Sequence, residues 1–558
     1  MVFLFVVVVL AAAGVVKGYL IEGCGGQICG RHLTSLFMAG ELPKGDDTSH
    51  LVSGVKALSS YRDSVHSVQQ QEPHSTSNPI FESTRFELNT KLRQRLHRLV
   101  QAEGIDSRRG WVRAFERFQL NSIVINSEGD VLLPSGCAKS TALLERDLLL
   151  LDGMTLEKAK RIASTFSEDT QKATKAIKAR FSMLLPALEE RGVKQGVEVL
   201  SNSYNDHVSL RLHEIDSKKA AHLQQDYRVV SISGAHLRKL RSLWGEGEDE
   251  AFDADVYSLL TRYRALEGKG WQAGTPNAVQ ACLQQSFGVF GEAFASPLNC
   301  YHPLYFSAFP DIDTKFGSCG SFFDFIEGEA SSAACGSYAA NPPFCQYTML
   351  RAIEGIKGCL DRAKERAKAE PPLSFIVIVP AWGKDREEDL FPQNYEIEGE
   401  KEGEGDDRIF SEILSNEPGA DLHYHALTKH PYLTGQVILP AQEHCYVDGF
   451  QHQMTPPSST NEGAQTGDGV CWEEKGEKLS WAKAKEKRGQ DSNHLFYRPA
   501  PFDTAVFLLQ NEAGAKKWPL TAHKERKLRE AWRGVTPKLQ GEDLAPKYVP
   551  RRYASQSD

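Results

Sequence analysis

No C-x-x-C pair occurs among the eleven cysteines of this 558-residue sequence. Their odd number and irregular spacing give neither zinc-ligand geometry nor a disulfide ladder, so they read as reduced, mostly buried thiols of an intracellular protein, and no metal is expected. A general basic coat is missing too. The net charge is −8, which argues against a chain that holds nucleic acid by charge alone. No apolar run reaches the length of a membrane span. The longest, residues 2–16, is followed by Lys17 and resembles the hydrophobic stretch of a signal peptide, without a Lys or Arg ahead of it. Residues 1–17 are therefore read as an apolar leader, either a secretory signal or an artefact of the assumed start. A membrane or secretory route is expected only if that leader is genuine. The glycine-rich fingerprint that opens many nucleotide-binding sheets is also missing after the first strand of the α/β region.

What is present is the composition of a globular protein, 41% hydrophobic and 25% charged, with length for two to four domains. Residues 18–85 are Gly-, Ser-, Gln- and Pro-rich without periodicity and are expected to be disordered. From Phe86 helical spacing sets in, with Leu88, Leu92, Leu96, Leu99 and Val100, then Leu143, Leu144, Leu148, Ile162 and Phe166. Short apolar runs at 196–213 and 227–233 read as strands, giving a helical domain with a small sheet over 86–250. Helices and strands then alternate over 251–535, with strands near 292–298, 374–379, 436–439 and 504–509. This is the layout of an α/β domain with a mostly parallel sheet. Two polar stretches, 384–432 and 453–493, read as surface insertions, and 536–558 as a basic tail. Lys516 to Arg552 hold eleven Lys or Arg against four Asp or Glu, and Asp385 to Asp407 hold eleven acidic residues against two basic ones.

Asn341-Pro342-Pro343-Phe344 is the most informative stretch. An amine conjugated to an aromatic ring is a poor nucleophile, because its lone pair is spread into the ring. Such an amine needs hydrogen-bond acceptors more than a strong base. The Asn side-chain oxygen and the carbonyl of the first proline supply them, the prolines hold the loop extended, and Phe344 offers a face for a base. Methyl transfer to such an amine calls for S-adenosylmethionine, bound at the carboxyl ends of successive strands. The candidate cofactor residues are Gln272, Thr275 and Pro276 at a helix start, and Ser296, Pro297 and Asn299 in a strand-ending turn. Asp311, with Asp313 beside it, is the candidate for the ribose hydroxyls. Asp324 and Phe325 are the candidates for the adenine. Trp382 suits a cationic, methylated guanine, and His444 a phosphate or ribose.

The blocks GEAFASPLNCY (291–301), SAFPDID (307–313), FGSCG with FFDF (316–325), AANPPFCQ (339–346), PLSFIVIVPAW (372–382), QVILPAQEHCY (436–446) and TAVFLLQNEAGAKKW (504–518) resemble, in order, those of the cap-specific adenosine N6-methyltransferase family. That family is also called the phosphorylated CTD-interacting factor family. The resemblance covers roughly 250–518. It implies a Rossmann-like class I S-adenosylmethionine-dependent methyltransferase core and a nuclear enzyme. The implied activity places a methyl group on N6 of the 2′-O-methyladenosine beside the cap of messenger RNA. It further implies that Asn341 to Phe344 are the catalytic loop, that Gln346 lies close to the cofactor, and that Trp382 faces the capped substrate. The alternatives are a methyltransferase acting on adenine in DNA or on a glutamine amide, and a non-catalytic RNA-binding member of the fold. Animal members carry a WW module for the phosphorylated tail of RNA polymerase II. Because no Trp precedes Trp111, the chain is expected to lack that module, which speaks against direct docking on the tail.

Overall fold

The computed structural model describes residues 58–65, 67, 78–105, 110–125, 129–190, 197–202, 207–212, 229–245, 247–266, 273–365, 371–383, 405–416, 421–453, 472–474, 477–479 and 496–534. All lie in one compact unit, Asp47–Asp558. The leader, the basic tail and Gln272 lie outside the described residues, as do most of the two stretches read as insertions. Among the described residues no helix is long and apolar enough to cross a membrane.

Helical order begins ahead of Phe86, which corrects the reading of 18–85 as unstructured. Residues 58–65 are helical, and a long helix runs Pro79–Ala102. It starts there because the Asn78 side chain accepts the Ile80 N–H at 2.9 Å and Pro79 occupies the first turn, where a missing N–H costs nothing. With Gly110–Ile125, Ala138–Leu148 and Leu156–Glu190 it buries one helical core of Leu92, Leu96, Phe115, Phe118, Leu144 and Phe166. The strands β1 (Val197–Asn202), β2 (His207–Leu212) and β3 (Val229–Ser233) form a small antiparallel sheet. It shares a second core with the helix Asp249–Leu266, Phe309, Ile312 and Phe316. The boundary expected at 250/251 falls inside that helix, so one apolar cluster runs across it.

The main sheet has the order β5-β4-β6-β7-β13-β8, with β4 at Val289–Ala295, β5 at Leu304–Ser307, β6 at Gly336–Ala340, β7 at Leu373–Pro380 and β8 at Leu433–Leu439. Two short strands, β9 (Cys445–Val447) and β12 (Tyr497–Pro499), pair with each other, a hairpin joins β10 (Trp472–Glu474) to β11 (Glu477–Leu479), and β13 is Thr504–Gln510. The β4/β5, β4/β6 and β6/β7 pairs are parallel, while β13 runs antiparallel to both β7 and β8. All strands but β13 therefore point the same way, as the mostly parallel reading expects. Every residue of β7 and of β13 is buried, because both faces of a doubly covered sheet are apolar. At Gly336, φ is +96°, and a Cβ there would lie 2.2 Å from the Phe290 ring, so only glycine lets β6 start this close to β4. The ends of β4, β6, β7 and β8 and the start of β13 share one rim. Ser296, Asn341, Trp382, Pro440 and Phe502 are all on it.

A buried ion network ties the first helix to this sheet. Arg262 holds Glu82 with Nε to Oε2 at 2.6 Å and Asp311 with NH2 to Oδ2 at 3.0 Å. Arg85 bridges the same Glu82 to Asp130, at 2.5 and 2.9 Å. Burial disfavours the Arg262 charge, but Asp311 and Glu82 outweigh it and hold its pKa well above the ordinary value. The side chains of Glu82 and Arg262 are 0% exposed, so removing one partner strands the others. Glu82→Ala is expected to lower unfolding stability by about 3–5 kcal/mol. Urea denaturation against the parent chain checks this, and a loss below about 1 kcal/mol would show the network to be solvated in solution.

Candidate functional site

The loop after β6 has the arrangement its composition calls for. Asn341 Nδ2 donates to the carbonyl of Ala273 at 3.2 Å, which fixes the amide, and Asn341 Oδ1 is buried with no hydrogen-bond partner among the described residues. A buried acceptor without a donor is costly unless a ligand fills it. The second proline's carbonyl is taken by Cys345 N at 2.6 Å. No bond to the first proline's carbonyl forms among the described residues. Phe344 is 8% exposed, and its ring meets Trp382, Tyr446 and Phe502 edge-on at 6.2, 5.7 and 5.8 Å.

Ala273 begins the segment that carries Thr275, whose hydroxyl is also buried and unpartnered. Gly274 is bridged to Val447 in both directions, at 3.0 and 2.8 Å. Pro276 stands at the N-cap of the helix Asn277–Phe287 and offers it no side-chain cap. At the end of β4, Asn299 Oδ1 accepts the Ser296 N–H at 2.7 Å and its hydroxyl at 3.0 Å, closing a turn around the buried Pro297. Glu292, which the sequence reading passed over, holds that turn from inside the strand. Its Oε1 accepts the N–H groups of Tyr301 and His302 at 2.6 and 2.8 Å, while burial pushes its carboxyl up to about 7. Thr275, Pro276, Ser296, Pro297, Asn299 and Asn341 thus stand at the same rim. The unpartnered Thr275 hydroxyl and the bare Gly274 backbone beside it fit the methionine end of S-adenosylmethionine.

Several expected site residues do other work. Asp311, the candidate for the ribose, is spent on Arg262. Its neighbour Asp313 is buried, accepts the Tyr263 hydroxyl at 2.7 Å, and is pushed by burial up to about 7. Phe325 is 2% exposed and packs on Phe306 and Tyr61 at 4.9 and 5.3 Å, so it is a core residue in this structure. Asp324 is exposed over the residue as a whole in the first turn of its helix, and its carboxyl pKa is raised, first by partial desolvation and then by neighbouring Glu327. His444 is 0% exposed. Its ring nitrogens are taken by Pro440 O at 2.8 Å and Thr504 Oγ1 at 2.7 Å, and Trp532 and Tyr446 cover its ring. It supports Tyr446, whose hydroxyl shares Thr504 at 2.9 Å, with both of its ring nitrogens engaged inside the protein.

Gln346 is likewise structural. His423 Nε2 donates to Pro380 O at 2.8 Å, so its Nδ1 is the acceptor, and the Gln346 amide nitrogen must face it at 3.2 Å. The Gln346 oxygen then takes the N–H groups of His423 and Leu422 at 3.2 and 2.8 Å and caps the helix Leu422–Thr428 from outside. Burial lowers the His423 pKa to about 4, so the ring stays neutral, and it meets Trp382 edge-on at 6.1 Å. This helix lies in the stretch read as a surface insertion. Leu422, His423, His425 and Ala426 are buried, and the segment belongs to the site.

Phe344, Gln346 and Trp382 line a cleft of about 640 Å³, open mouth included, whose far wall comes from the helical layer with Arg117, Arg146 and Asp147. Arg117 Nε lies 3.1 Å from Asp147 Oδ1, yet burial outweighs the ion pair and raises the Asp147 carboxyl to about 6. Arg146 is held by the Leu414 carbonyl at 3.0 Å and by that of Asn416. Cys345 Sγ lies 2.9 Å from Asn121 Oδ1, joining the loop after β6 to the helical layer. The helix bearing Asp147 reads from sequence as a core stripe, whereas the helix bearing Arg117 is not read from sequence. Arg117, Asn121, Arg146 and Asp147 enter the cleft beside Leu143 of that stripe.

Residues 236–395 match a family described as the phosphorylated CTD interacting factor 1 WW domain. This overturns the expectation that the chain lacks a WW module, and with it the argument against docking on the polymerase tail. That expectation looked for tryptophans ahead of Trp111, and the match lies well beyond, from the Gly234–Trp244 helix through β7 and across Asn341–Phe344. The chain is also 30% identical over 316 residues to the mRNA (2′-O-methyladenosine-N(6)-)-methyltransferases of Homo sapiens and Mus musculus. In each case the aligned region is 55% of this chain and 33% of the relative, so the chain spans about a third of the length of the curated relatives it matches. With the mixed sheet and the helical N-terminal region, this supports the Rossmann-like α/β fold class expected from the sequence. Gln346→Leu is expected to free the Leu422–Thr428 helix, at about 1–3 kcal/mol of local stability. Faster amide exchange at Leu422 and His423 and a red-shifted Trp382 fluorescence check this, and unchanged exchange would contradict it.

Proposed function

We propose that this chain is an S-adenosylmethionine-dependent RNA methyltransferase acting on N6 of the 2′-O-methyladenosine next to the messenger RNA cap. The observation that carries the reading is Asn341 Oδ1, an acceptor fixed by the bond to Ala273 and left buried without a donor. S-adenosylmethionine, when bound, supplies the electrophilic methyl group. The protein's part is to hold the adenine amine by two acceptors, Asn341 Oδ1 and the Pro342 carbonyl. Drawing both amine hydrogens away from the ring plane frees the nitrogen lone pair. Phe344, braced by three rings, is a rigid wall for the base. Trp382 and the Asp147 carboxylate in the neighbouring cleft suit the cationic guanine of a cap, and Arg117 a phosphate. The relatives' printed activity agrees with this chemistry. Interaction with a phosphorylated polymerase tail and a nuclear place of action belong to the same proposal.

Asn341→Ala is expected to lower kcat by about 10²–10³-fold while S-adenosylhomocysteine binding and cooperative unfolding persist. The assay is a nucleoside digest after incubation with labelled methyl donor, using capped RNA that begins with 2′-O-methyladenosine. Equal labelling of uncapped RNA would reject the cap specificity, and label in DNA or in glutamine would move the substrate class. The raised Asp147 pKa adds a pH dependence. Its carboxylate attracts a cation when ionised, above about pH 6, and loses that attraction when protonated. Affinity for a 7-methylguanosine cap analogue is therefore expected to fall as pH drops from about 6.5 to about 5. Fluorescence titration reads the effect, and Asp147→Asn should bind more weakly with a flat profile. A variant that keeps the slope would exclude Asp147 as its source.

A further inference from the structure

Gln451 opens a short helical turn, Gln451–Gln453, soon after β9, in a place to which the sequence reading gave no role. Its side chain is set by a relay. Ser233 Oγ accepts the backbone N–H of His236 at 3.3 Å and shares a hydrogen bond with His236 Nδ1 at 2.7 Å. Burial lowers the His236 pKa to about 4, with Lys239 adding to it, and the ring is hydrogen-bonded to the Gln451 side chain. A neutral imidazole that accepts at Nδ1 carries its hydrogen on Nε2. In that tautomer Gln451 accepts with its oxygen, which agrees with the placement of its amide nitrogen toward Gly274.

That nitrogen is the nearest atom, at 3.7 Å, to where a Cβ would stand on Gly274, and the next is Asn299 Nδ2 at 3.8 Å. The Asn299 amide is oriented independently, its oxygen held by the Ser296 N–H and hydroxyl. Two amide donors with separate anchors therefore converge on backbone that has no side chain, beside the unpartnered Thr275 hydroxyl and the carbonyl that holds Asn341. Lys239 Nζ, 3.3 Å from the Leu298 carbonyl, brings positive charge to the same turn. Paired donors near a cation describe a receptor for a carboxylate, and Glu292 beneath the turn is already taken by the Tyr301 and His302 N–H groups.

We propose that Gln451 and Asn299 form an amide clamp on the carboxylate at the amino-acid end of the methyl donor, with Ser233 and His236 as positioning residues. The proposal rests on the reading of this rim as a methyl-donor site. Calorimetry on the full chain tests it with two probes, S-adenosylhomocysteine and 5′-methylthioadenosine, which lacks the amino-acid portion. Gln451→Glu keeps the shape but replaces a donor by a negative acceptor. It is expected to weaken S-adenosylhomocysteine about 10- to 100-fold and to leave methylthioadenosine unchanged, while His236→Phe, which frees the amide to rotate, produces a smaller loss of the same selectivity. Equal loss for both probes, or no loss for either, overturns the clamp. If the parent chain binds neither probe, the methyl-donor reading itself falls, and the clamp with it.

Discussion

The bond from Asn341 Nδ2 to the carbonyl of Ala273 is the constraint on which the site depends. An amide has a donor end and an acceptor end of nearly equal size, and only its partners decide which faces a ligand. By taking the donor end, Ala273 leaves the oxygen turned outward and buried. Ala273 is in turn held by the Gly274 bridge to Val447. Val447 lies on β9, which pairs with β12 just ahead of Phe502 and β13. The orientation of one amide thus rests on strands that are far apart in the chain.

Aromatic packing carries the same rigidity across the rim. Phe344 contacts Tyr446, Tyr446 contacts Trp532 at 5.4 Å, and Trp532 is fully buried on the helix Ala522–Gly534. On the other side Phe344 meets Trp382, which leans on His423, which is locked to Gln346 one residue beyond Cys345. The catalytic loop is therefore braced from both directions by edge-on rings, a geometry that favours fixed spacing. The buried Glu82–Arg262–Asp311 network secures the helical layer that supplies the far wall of the cleft.

The legible part of this protein was local chemistry. Asn-Pro-Pro-Phe announces a stiff loop with a side-chain acceptor at its start, and fully apolar runs such as SFIVIV and TAVFLL announce central strands. Asn78-Pro79, a cap followed by a first-turn proline, was an available signal for the helix start. Three-dimensional partnership was not legible. Asp311 reads as a ribose ligand until Arg262 takes it, and Gln346 reads as a cofactor neighbour until the helix at 422 claims both ends of its amide. Polar, charge-rich surroundings made 384–432 look like a surface insertion and hid His423. Gln451 has no motif at all, since its orientation follows from a histidine tautomer more than two hundred residues away.

The groups around the catalytic loop share an electrostatic character that matches a reaction without a strong base. Burial lowers the His423 pKa to about 4 and lowers that of His444, raises the Cys345 thiol to about 12, and raises the Tyr446 phenol further. All four are neutral across the physiological range. A charged imidazole beside the adenine amine would repel the cationic sulfonium donor, and a thiolate would compete for its methyl group. Under the proposed function, keeping these four groups neutral removes both hazards and leaves the fixed dipoles of an amide and a proline carbonyl at the amine. Charge appears in the adjoining cleft instead, on Arg117 and Asp147, where a cationic base and phosphates would need it. The fold thus sets four neutral groups around Phe344 apart from the charged pair Arg117 and Asp147, the division that the proposed function would use.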